Sequence, residues 1–407
     1  MTQKLNKDLI VLLSGQLISQ IGDKFYLLAL SFWVLDSTGS AALMGIVLFA
    51  STIPEVLVGL FAGALVDRFS RKWMIVVTDL IRGIIVLVVA VIAFTENLTL
   101  PIIIVSQVLL SINTAFFNPA SPAIIPQLVE QDSLAKANSQ TQLVRGISLV
   151  VGPVLGGISV GLFGFAVVFL INALSFLLSG LFEILIANPE SSINSSDAED
   201  SFIESVKEGF HTVLKNNELI ILLASIAVIH FFVGAFQVIL PVMAEILNGD
   251  GPENLGYLQT SFGSGMLLIG FILSSLNIID KRERKMLMAS VFLMGIINVL
   301  AGVLMSNDQL NVLYYPSIFC LLGGAIIIAV TSFRTLVQKS VPNRLAGRVF
   351  GVAFAVSDAS LPLAMLIFGF LLEVFQVSYL LLLCGSALMV FSLLFIIPQK
   401  QVTLVKS

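Results

Sequence analysis

Twelve apolar runs dominate this chain, at 9–35, 41–66, 73–95, 101–124, 141–160, 165–187, 219–247, 255–279, 286–306, 312–337, 349–375 and 377–397. Each is close to or above the length of about 20 residues that a helix needs to cross a bilayer. No water-facing core absorbs so many such runs, so the spacing predicts an all-α membrane protein. The weakest division is the short Gly161 to Gly164 turn between the fifth and sixth runs. Composition agrees. Of the residues, 57% are hydrophobic and 11% charged, against about 25% charged in a soluble domain. A soluble enzyme, a nucleic-acid binder and a secreted disulfide scaffold are thereby excluded. A net charge of -4 leaves no basic footprint for nucleic acid. Two histidines and two isolated cysteines, Cys320 and Cys384, assemble no catalytic or metal-ligand constellation. No cofactor or metal is expected. No phosphate-binding Gly-x-x-x-x-Gly-Lys-Ser/Thr loop is present either, so ATP is not the direct energy source.

Charge fixes the expected orientation. With twelve spans, one set of loops holds Lys4 and Lys7; Arg68, Arg71 and Lys72; Lys136; Lys207 and Lys215; Lys281 to Lys285; Lys339, Arg344 and Arg348; and Lys400 and Lys406. The opposite loops hold no Lys or Arg but carry Asp36, Glu96, Asp250, Glu253 and Asp308. Removing one span would scramble this pattern, and the positive-inside rule then puts both termini in the cytoplasm of a multi-pass plasma or inner membrane protein. We call the two sides the basic and the acidic face.

A polar segment, 188–218, divides the chain into bundles of six spans at 1–187 and 219–407. Its first part is a Ser-, Asn- and acid-rich linker. Phe202, Val206, Phe210 and Val213 then recur at the spacing of an amphipathic helix lying on the membrane surface. The sequence Asp-x-x-x-Arg-Lys occurs at Asp67, Arg71 and Lys72 and again at Asp280, Arg284 and Lys285, at corresponding points of the two halves. This is the mark of a duplicated, pseudosymmetric pair of bundles.

Gly63-Ala-Leu-Val-Asp67-Arg68-Phe-Ser-Arg71-Lys72 resembles the signature between the second and third helices of the major facilitator superfamily. Gly152-Pro153-Val-Leu-Gly156-Gly157 resembles the antiporter motif that marks exporters in that superfamily. Gly22-Asp23, Asp79 to Arg82, Phe117 to Ala120 with Pro126, and Val341-Pro342 through Gly347 to Val349 are similar to its macrolide-efflux and siderophore-exporter branch. The resemblance implies two bundles rocking around a central site. It also implies a cytoplasmic gate in which Gly63, Asp67, Arg68, Arg71 and Lys72 meet the start of the eleventh helix near Arg348, and export as the direction of movement. Topology and lipid headgroups would account for the positive charges alone, but not for Gly63 or Asp67. The chain departs from many superfamily antiporters in having no Arg in its fourth span. That leaves the equivalent work to Arg82 or Arg145.

Charges inside a bilayer are costly and mark tasks. A carboxylate facing a cavity there can take and lose a proton. The candidates are Asp23, Glu55 and Asp358, with Arg82 and Arg145 as their cationic partners. Asp23 ranks first, because the fold implied by the resemblance lines its cavity with the first helix of each half. Static ion pairing of Asp23 with Arg82 or Arg145 is the structural alternative. Asp79 and Arg82 sit three apart and can pair locally, while Arg145, Glu183 and Arg334 are expected to snorkel to the basic face. A cavity for an amphipathic cargo needs an apolar wall with a few polar anchors. Gln16, Gln20, Phe25, Tyr26, Asn113, Phe117, Asn118, His230, Phe231, Gln237 and Phe354 are its candidates. The expected function is monomeric export of a hydrophobic or amphipathic small molecule, macrolide-like or siderophore-like, by proton antiport among membrane lipids. A lipid or lysolipid flippase and a non-transporting sensor are the rivals.

Overall fold

The computed structural model describes residues 7–66, 69–187, 211–275, 282–341 and 343–395. Among them there is no β-strand, only one isolated bridge between Asn248 and Asn311. Ten stretches are long and apolar enough to span a membrane. A further helix, α1 (Lys7–Thr38), has the length but carries Asp23 and Lys24 in its middle. The second span is broken into α2 (Ala41–Ala50) and α3 (Ile53–Val66). Pro54 has no N–H to continue the helix there, and the hydroxyls of Ser51 and Thr52 donate to the Leu48 carbonyl instead, at 2.8 and 3.0 Å. The third and fourth spans are α4 (Arg71–Phe94) and α5 (Leu100–Leu128).

The apparent single helix α6 (Leu134–Ile184) is two spans. Its 51 residues would reach about 75 Å at 1.5 Å per residue, far more than a bilayer. Gly164 breaks it, with φ 75° and ψ 173°. Along α1, a side chain at Gly152 would meet Lys24 and one at Gly156 would meet Phe25 and Leu28, so this leg runs parallel to α1. Gly22 instead faces Asn172 and Ser175, and Gly15 faces Ser179, so the second leg runs antiparallel. The chain therefore reverses at Gly164, and the expected twelve spans are present. The Gly164 conformation is one that side chains almost never adopt, and nothing lies within 4 Å of where a β-carbon would project. Gly164→Ala is expected to destabilise the protein by about 1–3 kcal/mol through backbone strain alone, read as a lowered thermal unfolding midpoint in detergent.

The second bundle comprises α7 (Asn217–Ile246), α8 (Gly251–Ser275), α9 (Glu283–Ser306), α10 (Pro316–Ser340), α11 (Asn343–Leu372) and α12 (Val377–Phe395). In both bundles the first span packs on the fifth, the second on the fourth and the third on the sixth. This recurrence is the pseudosymmetry that the repeated Asp-x-x-x-Arg-Lys suggested. Asp67, Arg68 and Asp280 themselves lie outside the described residues, as does 201–210 of the expected surface helix.

The bundles meet through two equivalent seams. The second span lies against α11, and the first leg of α6 lies against α8. Small residues permit the approach. A β-carbon at Gly45 would stand 2.9 Å from the Gly369 Cα, and one at Gly256 would stand 2.9 Å from the Pro153 carbonyl oxygen. The α2–α11 seam lies toward the acidic face, and the α6–α8 seam runs from that face past the middle of α8, to Gly146 against Leu267.

Candidate functional site

A cavity of about 680 Å³ opens within the first bundle. All six spans of that bundle contribute to it, with Arg82 from α4 and Phe176 from the second leg of α6. From α1 come Ser19, Gln20, Asp23, Lys24, Tyr26 and Leu27; from the break between α2 and α3, Ser51, Thr52 and Glu55. The first leg of α6 supplies Arg145, Ser148 and Leu149, and α5 supplies most of the rest. On α5, Gln107, Ser111, Thr114, Asn118 and Ser121 recur every three or four residues and so share one helix face. Of this polar stripe the sequence reading singled out only Asn118. The spacing was available to find the others, but Ser and Thr are too common inside membrane spans to stand out singly.

The polar groups in the wall are specifically engaged. Arg82, 6% exposed, donates to Asp79 Oδ1 at 3.1 Å and to Thr114 Oγ1 at 3.3 Å. Its guanidinium lies 4.3 Å from the Phe117 ring centroid and 5.6 Å from that of Phe176. Such stacking favours a cation with little water around it. Gln107 Nε2 donates to the buried Tyr26 hydroxyl at 2.7 Å, and Tyr26 packs edge-on against Phe169. Glu55 sits in the first turn of α3, where its carboxylate accepts from Asn118 Nδ2 and its backbone N–H donates to Ser111 Oγ at 2.9 Å. A helix N-terminus favours that negative charge. Asp23 is exposed in the cavity. Among the described residues it has no hydrogen bond or ion pair, so the static pairing with Arg82 or Arg145 does not form.

A second cavity, of about 720 Å³, opens between the bundles on the acidic face. Asp36, Glu245, Asp250 and Glu373 line it with Phe32 and Phe165, and among the described residues it shares no lining residue with the first. Between the two cavities the glycine seams are shut. Glu373, from the end of α11, reaches the start of α2 across the seam. Ser40 Oγ and the Ala42 N–H donate to its Oε1 at 2.6 and 2.9 Å, and these bonds hold its carboxyl below the ordinary glutamate range. A carboxyl held low stays ionised, and its stabilising bonds persist, until the pH falls through that lowered value. The acidic-face seam is thus expected to stay shut in mildly acidic medium and to loosen at neutral pH in Glu373→Gln. Spin-label distances between positions 37 and 374, with both native cysteines replaced, would read this.

The chain's relatives agree with this architecture. The model of the Major Facilitator Superfamily matches residues 12–365. The chain belongs to that superfamily. Over 376 residues it is 25% identical to macrolide efflux protein A of Streptococcus pyogenes, covering 92% of this chain and 91% of that one. It is 24% identical to the multidrug efflux pump Tap of Mycolicibacterium fortuitum, covering 91% and 90%. The crystal structure of the nucleoside transporter NupG superposes with a TM-score of 0.76 at 14% identity over 96% of this chain and 98% of that one, which speaks for the fold alone. The protein is a multi-pass membrane transporter of small molecules with efflux-pump relatives, and not an enzyme.

Within this major facilitator fold the remaining expected residues are dispersed. Gln16 is buried beside the cavity, donating to Ser121 Oγ at 2.8 Å, and Phe25 is buried against Gly156. Asn113 donates to the Leu109 carbonyl of its own helix. In the second bundle, His230 Nδ1 lies 3.0 Å from the Ile226 carbonyl and Phe231 packs edge-on against Phe232 and Phe368. None of these, nor Gln237, lines the first cavity. Asp358 also stands outside that lining, with the Ser357 hydroxyl 3.4 Å from its Oδ1. The side chains of Phe354 and Arg348 lie outside the described residues.

Gly152, Pro153, Gly156 and Gly157 are buried and face two partners, α1 on one side and α8 on the other. Gly63 lies in the last turn of α3, Arg71 Nη1 donates to the Ala123 carbonyl at 3.0 Å, and Lys72 is buried with its ammonium 5.3 Å from the Trp73 ring. A β-carbon at Gly59 would meet nothing within 4 Å. Glu183 is the clear departure: it does not snorkel but is 0% exposed.

Proposed function

We propose that this transporter exports a hydrophobic or amphipathic small molecule, of the kind macrolides represent, in exchange for protons. The observation that carries the reading is the first cavity: an unpaired Asp23 and a capped Glu55 share one wall with Phe117, Phe176, Leu110 and Leu149. Its volume falls within the roughly 300–1,000 Å³ of small-molecule sites. The names of the efflux relatives point the same way. The basic face, carrying both termini, is taken as cytoplasmic, which makes the arrangement one with its outer seam shut. The two six-span bundles then act as bodies that part along the α2–α11 and α6–α8 seams, while Arg71 and Lys72, with Asp67, Arg68 and Arg348, close the cytoplasmic side in the opposite state. One proton falling through 100 mV supplies about 2.3 kcal/mol. That is roughly a 50-fold gradient of a neutral cargo before any pH difference is added.

Inside-out vesicles with an acidic lumen test this. Erythromycin or ethidium is expected to concentrate in the lumen of vesicles carrying the protein, and the uptake to collapse when the proton gradient is dissipated. Absence of uptake of both probes overturns export of this cargo class. Uptake that ignores the proton gradient but needs sodium overturns the proton.

A further inference from the structure

Behind the cavity wall, the third and sixth spans hide two acids, Asp79 and Glu183, neither of which lines the cavity. Where α4 crosses the second leg of α6, Gly83 lies against Leu177 and Gly180 against Leu80, so the helices run antiparallel and bring Asp79 level with the turn that carries Glu183. Both acids are 0% exposed. Arg82 is the cation they share. It bonds Asp79 Oδ1, whereas among the described residues both carboxyl oxygens of Glu183 are buried with no hydrogen-bond partner, and the Ser179 hydroxyl stands beside Asp79. The first helix closes the third side, with Gly15 against Ser179. The charged groups that act on Glu183 are Asp79 and Arg82 on the facing helix, and Asp23 on α1 acts in turn on Asp79.

Two carboxylates and one guanidinium leave one negative charge unpaired in a buried site. A bare buried carboxylate is among the costliest groups a protein can hold, and two carboxyls at one cation relieve the cost by keeping one proton between them. We propose that Asp79, Arg82 and Glu183 form a proton-binding site separate from Asp23, holding one exchangeable proton and joined to the cargo cavity through Arg82. In the proton-loaded state Glu183 is the neutral acid and Arg82 pairs with Asp79 while stacking on Phe117 in the cavity wall. When the proton leaves to cavity water, Glu183 becomes a carboxylate and competes for the same guanidinium. Arg82 is then drawn away from Thr114 and Phe117, so proton occupancy is written into the shape and charge of the wall. The use of this site for export rests on the proton-exchange reading above, but its protonation does not.

Infrared spectroscopy of the full-length protein in lipid nanodiscs tests it without any cargo. The carbonyl stretch of an un-ionised carboxyl is expected at neutral pH and to fade as the medium is made alkaline. One carboxyl's worth of that band should vanish in Glu183→Gln, and also in Asp79→Asn, because Arg82 then stabilises the surviving Glu183 as its carboxylate. Asp23→Asn should keep it. Unchanged intensity in Glu183→Gln overturns the assignment, and a native band that stays constant from acidic to alkaline medium shows a fixed structural acid and also overturns it. Glu183→Asp, which keeps the carboxyl, covers the event that the amide fails to fold, and the native titration needs no variant. In proteoliposomes Glu183→Gln is expected to equilibrate erythromycin downhill while losing gradient-driven accumulation. If erythromycin does not move at all in the native protein, the cargo reading fails and the infrared result still stands.

Discussion

Cells expressing Asp23→Asn are expected to accumulate erythromycin to the level of cells lacking the transporter, with the protein present in unchanged amount. The argument is local. Asp23 stands in the cavity without a hydrogen-bonded or ionic partner among the described residues, so the amide, which has the same size and shape, disturbs no packing. What it removes is an ionisable group in a cavity that Lys24 and Arg145 also line. Loss of one translocated proton removes about 2.3 kcal/mol per 100 mV of driving force, which is roughly a 50-fold fall in the gradient the protein can hold. Export by Asp23→Asn equal to the native protein would take the coupling role from Asp23. If Glu183→Gln then failed, the buried triad would be the sole carrier.

Gly157→Val is expected to pry the acidic-face seam open. A β-carbon at Gly157 would drive into the Pro252 carbonyl and lie 3.3 Å from the Glu253 Cα, so it meets backbone, which cannot rotate aside as a flexible side chain would. Overpacking of this kind costs about 1–3 kcal/mol. Here the cost falls on the shut arrangement alone, since the partner belongs to the other bundle. The ratio of shut to open acidic faces should therefore fall by roughly 5- to 150-fold. A cysteine at Met365, 2% exposed with its sulfur 3.9 Å from the Thr52 hydroxyl across the α2–α11 seam, should be inert to an impermeant maleimide in the native background and reactive beside Gly157→Val. Gly59→Val is the control, because Gly59 has nothing within 4 Å and no seam to open. If Met365→Cys stays inert beside Gly157→Val, these glycines are not what lets the bundles close.

Much of the molecule was legible before folding because bilayers impose simple rules. Apolar length counted the spans even where α6 runs through Gly164, and the basic loops on one side guarded that count. The motif at Gly152 to Gly157 declared a close approach through its missing side chains, though not that two different helices make it. The cavity was half legible. Gln20, Asp23, Tyr26, Glu55, Arg82, Phe117, Asn118 and Arg145 were anticipated and line it. Gln16 and Phe25 missed by one helix face, and the candidates from α7 belong to the other bundle.

The sequence by itself determined where the chain crosses the membrane, which loops share a side and which ionisable residues are stranded in the apolar layer. Helical periodicity and the cost of charge in hydrocarbon act along one segment at a time, so a string of residues carries them. Only the tertiary structure decided what each stranded group faces. Glu183 is buried behind α1 and α4 rather than exposed at the surface, Glu373 caps a helix some 330 residues away, and Arg82 bridges the cavity wall and the buried Asp79. Those outcomes depend on which neighbour occupies the far side of each helix, and that is set by the packing of all twelve.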